Sequence, residues 1–232
     1  TEQHIKECLS NHFCEIYGEL QNAYLDANNY DYSTPQNIAD INKLINKLSN
    51  LTNSNEYPFI KHARTQHGNV PLWVLFRAVT FGSISKMYQL QKQTVKSSIA
   101  QDYPFLNEGN LGALLRIAST CRNVCAHAER LYTFHHKEAI PMLPIHDKLQ
   151  IPKTTSGNEY IYGQKDLFAV LISLRYLLTN DDFKALKSLL VKTINKYKTF
   201  ISSTDSHISS RQILTEMGFS QNWENITRYR AL

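Results

Sequence analysis

Few elements in this chain break or cross-link a helical protein. It holds 8 glycines and 7 prolines in 232 residues, which excludes collagen-like and low-complexity classes. Its four cysteines, Cys8, Cys14, Cys121 and Cys125, include no C-x2-C pair. Each lies on or near an apolar helical stripe, so all four read as reduced core thiols of a cytosolic protein. Cys121, Cys125 and His127 can be drawn together as a zinc site, but their spacing fits no usual structural zinc pattern. No metal and no other cofactor is expected. There is no signal peptide and no unbroken apolar run long enough to span a membrane, so a cytoplasmic protein without a membrane partner is expected. The sequence opens at Thr1 without a Met, and some native N-terminal sequence is expected to be missing. No internal repeat and no helix-turn-helix pattern stands out, which makes DNA a poor candidate partner.

One further absence is local. No Asp or Glu occurs from Tyr57 to Gln101, whereas the same stretch holds Lys61, Arg64, Arg77, Lys86, Lys92 and Lys96 with His62 and His67. An acid-free basic segment suits a phosphate-facing surface, with Arg77 and Lys86 as candidate RNA contacts. A chance gap in acid usage explains it equally well. The overall net charge of +5 is mild; it permits an anionic partner without demanding one.

What is present is apolar and periodic. Hydrophobic residues make up 42% and charged residues 19%, the balance of a globular chain with a full core in one domain. Ile5, Leu9, Phe13, Ile16, Leu20 and Ala23 form one helical stripe. Thr34-Pro35 starts a second helix over Ile38, Ile41, Leu44, Leu48 and Leu51. A short segment follows at Phe59–Gln66. Val70-Pro71 opens a helix that is apolar nearly all round and should be buried; Gly82 and Ser83 are its expected break. Thr94–Ala100 is another short helix. The next runs from about Gly109 to Tyr132, within boundary error. Residues 139–164 hold Pro141, Pro144, Pro152, Gly157 and Gly163 and read as a long loop with a small hairpin. Helix resumes at Asp166, again at an Asn180-Asp181-Asp182 cap, and over Ser210–Met217, ended by Gly218. Trp73 and Trp223 read as core anchors. The sum is an all-α helical bundle in one domain over 1–232, with a loop insertion at about 136–165.

The most informative stretch is Arg122-Asn123-Val124-Cys125-Ala126-His127. On a helical wheel whose buried stripe is Cys121, Val124, Cys125 and Ala128, Arg122 and His127 stand roughly 140° apart on opposite flanks. Asn123, His127 and Arg130 form an i, i+4, i+7 row able to face one partner. A site using both Arg122 and His127 needs a distorted helix, the long reach of Arg122, or a second copy of the helix. A two-fold dimer answers this most simply by bringing two Arg and two His into one groove. RNA cleavage without a metal needs a proton removed from the 2′-OH, a stabilised phosphorane and a protonated leaving oxygen. Histidine suits the proton transfers, arginine offers a fork of donors to phosphate oxygens, and asparagine can orient either group. The bland alternative is a structural histidine beside a packed helix, since R-x4-H strings also arise by chance. His135, His136 and His146 follow the motif and read as solvated loop histidines.

The run RNVCAHAERLY closely resembles the signature of the bacterial Abi-like family, abortive-infection proteins of the AbiD and AbiF type within the HEPN superfamily. HIKECLSNHFCEIYG with AYLD resembles the family's first helix. VPLWVLFRAVTFGSISKMY looks like its central segment, and ILTEMGFSQNWENI is similar to its C-terminal end, with Gly218, Phe219 and Trp223 in place. The resemblance implies an all-helical HEPN fold and a metal-independent endoribonuclease of a phage-defence or toxin–antitoxin system, with two motifs meeting at a homodimer interface. It implies catalytic roles for Arg122 and His127, with Asn123 as the polar residue that often follows the Arg. Arg130 matches the family's Arg before Leu, implying a phosphate or dimer contact. Two departures stand beside it. Ala128 replaces a frequent second His, and Tyr132-Thr133 replaces a frequent Trp-Asn. RNA, a second copy of the chain and an antitoxin of RNA or protein are the partners this implies. A non-catalytic RNA- or partner-binding module and a purely structural dimer are the competing readings.

Overall fold

Several helices of this protein begin where a short polar side chain satisfies an orphan backbone donor, whereas those starting at Glu2, Gln21, Pro58, Leu72, Phe81 and Gln93 begin without one. A computed structural model describes residues 1–203 and 209–229, and within them the fold is all-α. Thr34 caps a helix by accepting from Asn37 N at 3.1 Å, Asp166 does so from Ala169 N at 2.9 Å, and Ser209 and Gln212 form a reciprocal capping box. Thr179, rather than the Asn180-Asp181-Asp182 run, is the acceptor for Asp182 N, at 3.2 Å.

The chain divides into two compact units, Thr1–Gly112 and Ala113–Leu232. The first is built from α1 (Glu2–Tyr17), α2 (Gln21–Leu25), α3 (Pro35–Thr52), α4 (Pro58–His67), α5 (Leu72–Leu75), α6 (Phe81–Gln89) and α7 (Gln93–Gln101). Its core takes Ile5, Leu9 and Phe13 from α1, Ile41 and Leu48 from α3, and Ile84 and Met87 from α6, all buried. The first stripe is two helices, not one, because Gly18 takes φ +92° between α1 and α2. Ser98 Oγ and Asp102 Oδ2 bracket the His12 ring at 2.8 and 2.9 Å, pinning α1 to the end of α7. Burial alone would raise the Asp102 carboxyl, but hydrogen bonds from His12 and Cys8 outweigh it and hold the group low.

Two expectations fail in this unit. The apolar segment after Val70 is one short helix rather than a long one. Arg77, Ala78 and Val79 continue it with tight bonds to residues three back, and the extended Thr80 restarts the chain into α6. Gly82 therefore lies inside α6, not at the break. Trp73 is 46% exposed and is no core anchor. In a single helical turn, Leu72 and Leu75 take the inward face, which leaves the residue after Leu72 pointing out.

The helix α8 (Glu108–Ala126) leads into the second unit, which continues with α9 (Pro144–Lys148), α10 (Leu167–Leu177), α11 (Asn180–Ser203) and α12 (Ser210–Glu216). Phe168 on α10 is fully buried, 5.1 Å from Phe219, which in turn meets Trp223 edge-on at 5.0 Å. Trp223 is thus the core anchor expected. The long connection from α8 to α10 is ordered over a buried apolar set that includes Ile140, Leu143, Ile145, Leu149 and Ile151. The small hairpin is present in reduced form, as an antiparallel bridge between Lys153 and Tyr160 closed by a turn at Gly157.

His146 within this connection is fully buried, not solvated. Its ring stacks on Tyr160 with centroids 4.6 Å apart. Nε2 donates to Gly163 O at 2.8 Å, and Nδ1 accepts from Leu143 N at 3.1 Å. This pair of bonds requires the neutral ring with its proton on Nε2. A second proton would orphan the Leu143 N–H, and the Leu143 carbonyl 3.0 Å from Nδ1 would accept that proton, so burial rather than lost bonding is the main cost of charging the ring. Burial accordingly pushes the imidazole below the ordinary histidine value. With the folded value depressed, the stability His146 contributes is present above the unfolded value and lost as pH falls through the folded one. Burial lifts the Asp166 carboxyl, which has the opposite sign: its contribution is present at low pH and lost as pH rises through the folded value. The urea midpoint of the second unit, read from Trp223 fluorescence, should therefore drop between about pH 7 and pH 5, and His146→Gln should flatten that drop. An unchanged slope in the variant would contradict the assignment.

Candidate nucleic-acid site at the end of α8

The amino-terminal part of α8 is buried through Leu111, Leu114, Leu115, Ile117 and Ala118. Its last turn is not. Beyond Cys121 the pattern changes: Val124 is half-buried, and Arg122, Asn123, Cys125, Ala126 and His127 are exposed. The expected stripe of Cys121, Val124, Cys125 and Ala128 therefore stops at its first member. Cys125 is a surface thiol and Ala128 is exposed. Burial, with Cys125 alongside, pushes the Cys121 thiol up to about 12, so the buried member of the pair is no nucleophile near neutral pH.

The helix ends six residues earlier than periodicity suggests, and the reason is a Schellman closure. Glu129 N bonds back to Val124 O at 3.1 Å and Ala128 N to Cys125 O at 3.2 Å. Ala128 takes φ +54°. His127 keeps its helical bond to Asn123 O at 3.0 Å, so it is the capping residue. The wheel separation of Arg122 and His127 consequently survives. The row of Asn123, His127 and Arg130 does not, because Arg130 lies past the reversal of the chain. Arg130 remains exposed, but off the helix.

The same closure ends α12, where Phe219 N reaches Leu214 O at 2.8 Å and Gly218 N reaches Thr215 O at 2.9 Å, with Gly218 at φ +79°. Glycine suits that position, whereas an alanine Cβ there is strained by about 1 kcal/mol. Ala128→Gly should therefore raise the stability of this turn by up to about 1 kcal/mol, seen as a higher urea midpoint. A lower midpoint would mean that the Ala128 methyl makes a contact worth more than the strain.

The other proposed RNA contacts lie in the first unit and are already engaged. Arg77 stacks its guanidinium 4.3 Å from the Phe59 ring centroid, and Lys86 pairs with Asp40 at 2.8 Å. Arg64 donates to the carbonyls of Thr52 and Ser54 and to the Asn55 side chain. Burial holds Lys96 below the ordinary lysine value. Much of the basic character of 57–101 is therefore spent within its own unit, with acids supplied from elsewhere in the sequence. Among the described residues, no group of three or more His, Cys, Asp or Glu is gathered as metal ligands, and no helix is long and apolar enough to cross a membrane.

Arg122, Asn123 and His127 thus stand together, exposed, on the last turn of α8. The family model described as Abi-like protein matches residues 1–133, more than half of the chain and up to seven residues past the end of α8. The protein belongs to the Abi-like family. That membership suggests a part in abortive infection, a form of phage defence. The match ends before the Ile213–Ile226 stretch, so the likeness seen there lies outside it. Comparisons with curated proteins and with solved structures gave no match.

Proposed function

We propose that this protein is a metal-independent endoribonuclease of the HEPN superfamily, acting in the cytoplasm in phage defence or as the toxin of a toxin–antitoxin pair. The observation that carries this reading is the joint exposure of Arg122, Asn123 and His127 at the end of α8. A helix end kept for packing alone would turn apolar side chains outward to a neighbour, not a guanidinium, an amide and an imidazole.

In this reading two copies face each other across a two-fold axis, because one helix holds Arg122 and His127 roughly 140° apart. His127 of one copy takes the 2′-OH proton as the 2′ oxygen attacks phosphorus. His127 of the other protonates the 5′ oxygen as its bond to phosphorus breaks. The products are a 2′,3′-cyclic phosphate and a 5′-OH, with no net proton change. Arg122 holds the phosphorane oxygens through charge-assisted hydrogen bonds, and Asn123 orients the group beside it. Dependence on the 2′-OH limits the chemistry to RNA.

Co-expression tests the shared site. Arg122→Ala and His127→Ala subunits should each be inactive alone. The mixed dimer keeps one Arg122 and one His127, on different copies. It should cleave faster than the His127→Ala homodimer, which has no imidazole, but well below the unmutated dimer, which has both. A mixed dimer of unmutated and doubly substituted (Arg122→Ala, His127→Ala) subunits that keeps half the activity of the unmutated protein would contradict a site built from two copies. Retained RNA binding without cleavage in the unmutated protein would favour the binding-module reading.

A further inference from the structure

The second unit carries a cleft of about 650 Å³ that has no part in the proposed cleavage site. Its lining combines three kinds of group. Phe219 and Trp223, at right angles with centroids 5.0 Å apart, form its buried floor, and the half-exposed Tyr162 is the aromatic ring open to it. Lys198 and Arg211 supply positive charge, against the single carboxylate of Glu224. Gln150, Asn222 and Ser220 supply neutral hydrogen-bonding groups.

Gln150 closes α9 by the Schellman bonds Ile151 N to His146 O at 3.1 Å and Gln150 N to Asp147 O at 2.9 Å. It does so at φ +54°, a conformation that glycine adopts without strain. What Gln150 gives in return is its side chain, whose Oε1 accepts from Asn222 Nδ2 at 3.2 Å. That bond leaves the Gln150 Nε2 donors and the Asn222 Oδ1 acceptor unused at two lining residues, a donor and an acceptor of the kind a nucleobase edge pairs with.

We infer that this cleft binds a nucleoside monophosphate unit, with the base against Tyr162 and the Gln150–Asn222 amides, and the phosphate at Arg211 and Lys198. Free mononucleotide and one unit of a single RNA strand present the same chemistry. The inference does not rest on the cleavage reading, since none of Arg122, Asn123 and His127 lines the cleft.

Calorimetric titration of the intact protein tests it, with adenosine and uridine monophosphates, inorganic phosphate, and a 2′-O-methylated RNA hexamer that resists cleavage. At least one nucleotide ligand should bind saturably and more tightly than inorganic phosphate. Arg211→Ala should weaken it at least about tenfold through loss of a charge-assisted phosphate contact. Arg211 is exposed and its guanidinium makes no hydrogen bond among the described residues, so the variant should keep the native circular dichroism. Gln150→Gly should raise the urea midpoint while weakening binding, a split that a purely structural glutamine would not give. Binding of mononucleotides that Arg211→Ala weakens assigns a free nucleotide to the cleft, and binding of the hexamer alone, weakened by the same substitution, assigns an RNA strand. No saturable binding, phosphate binding as tight as nucleotide, or unchanged affinity in both variants would overturn it.

Discussion

Replacing His127 with alanine should lower RNA cleavage by about 10²–10⁴-fold, the usual contribution of a positioned general acid–base group. The fold should be unaffected. His127 is exposed, and its helical bond is made by its backbone N–H to Asn123 O. The imidazole makes no hydrogen bond among the described residues, so stability should change by no more than about 0.5 kcal/mol. Cleavage rates measured on folded variants, with circular dichroism as the control, separate the two effects. Arg122→Ala should fall by about 10²–10³-fold through loss of a donor to the phosphorane. Undiminished cleavage by either variant would remove the motif from the chemistry. Loss of helical content in His127→Ala would mean that the residue serves the fold instead.

The largest effect on stability should come from Gly218. A Cβ there would lie 2.1 Å from Asp166 Cγ and 2.2 Å from Oδ2, inside any tolerable contact. The backbone also sits at φ +79°, where an L side chain costs about 1–2 kcal/mol. Asp166 cannot step aside without loss, because Oδ1 accepts from Ala169 N at 2.9 Å and Oδ2 from Gly163 N at 2.8 Å. The first of these bonds caps α10 and is worth about 1 kcal/mol. Gly218→Ala should therefore destabilise the second unit by about 3 kcal/mol or more, read as a lowered urea midpoint of Trp223 fluorescence. Asp166→Ala removes the obstructing carboxylate, so the double variant should lose much less than the two single losses added together. Simple additivity would contradict the collision.

These two residues also show what the sequence makes legible. Gly218 after an apolar-periodic segment is a readable helix stop, and Asp166 and Thr34-Pro35 are readable starts, because capping is local chemistry. The close approach of Gly218 to Asp166 is not readable, since it joins two helix ends far apart in sequence. Ala128 is hidden for the opposite reason. The position calls for glycine or asparagine, and an alanine there reads as one more helical residue, which extends the expected helix to Tyr132 and puts Arg130 on it. Trp73 and His146 show the same limit: an apolar run does not show how short its helix is, and a loop histidine does not show its stacking partner or its carbonyl acceptor. That Arg122, Asn123 and His127 share one helix is legible without tertiary information, because they sit within two turns.

Metal-free RNA cleavage through attack by the 2′-OH is tested by incubating the protein with total RNA in excess EDTA and mapping the chemistry of the new ends. The ends should be 2′,3′-cyclic phosphate and 5′-OH, formed undiminished by the chelator and missing when His127→Ala is used. Cleavage that stops in EDTA, or that leaves 5′-phosphate and 3′-OH ends, would contradict it.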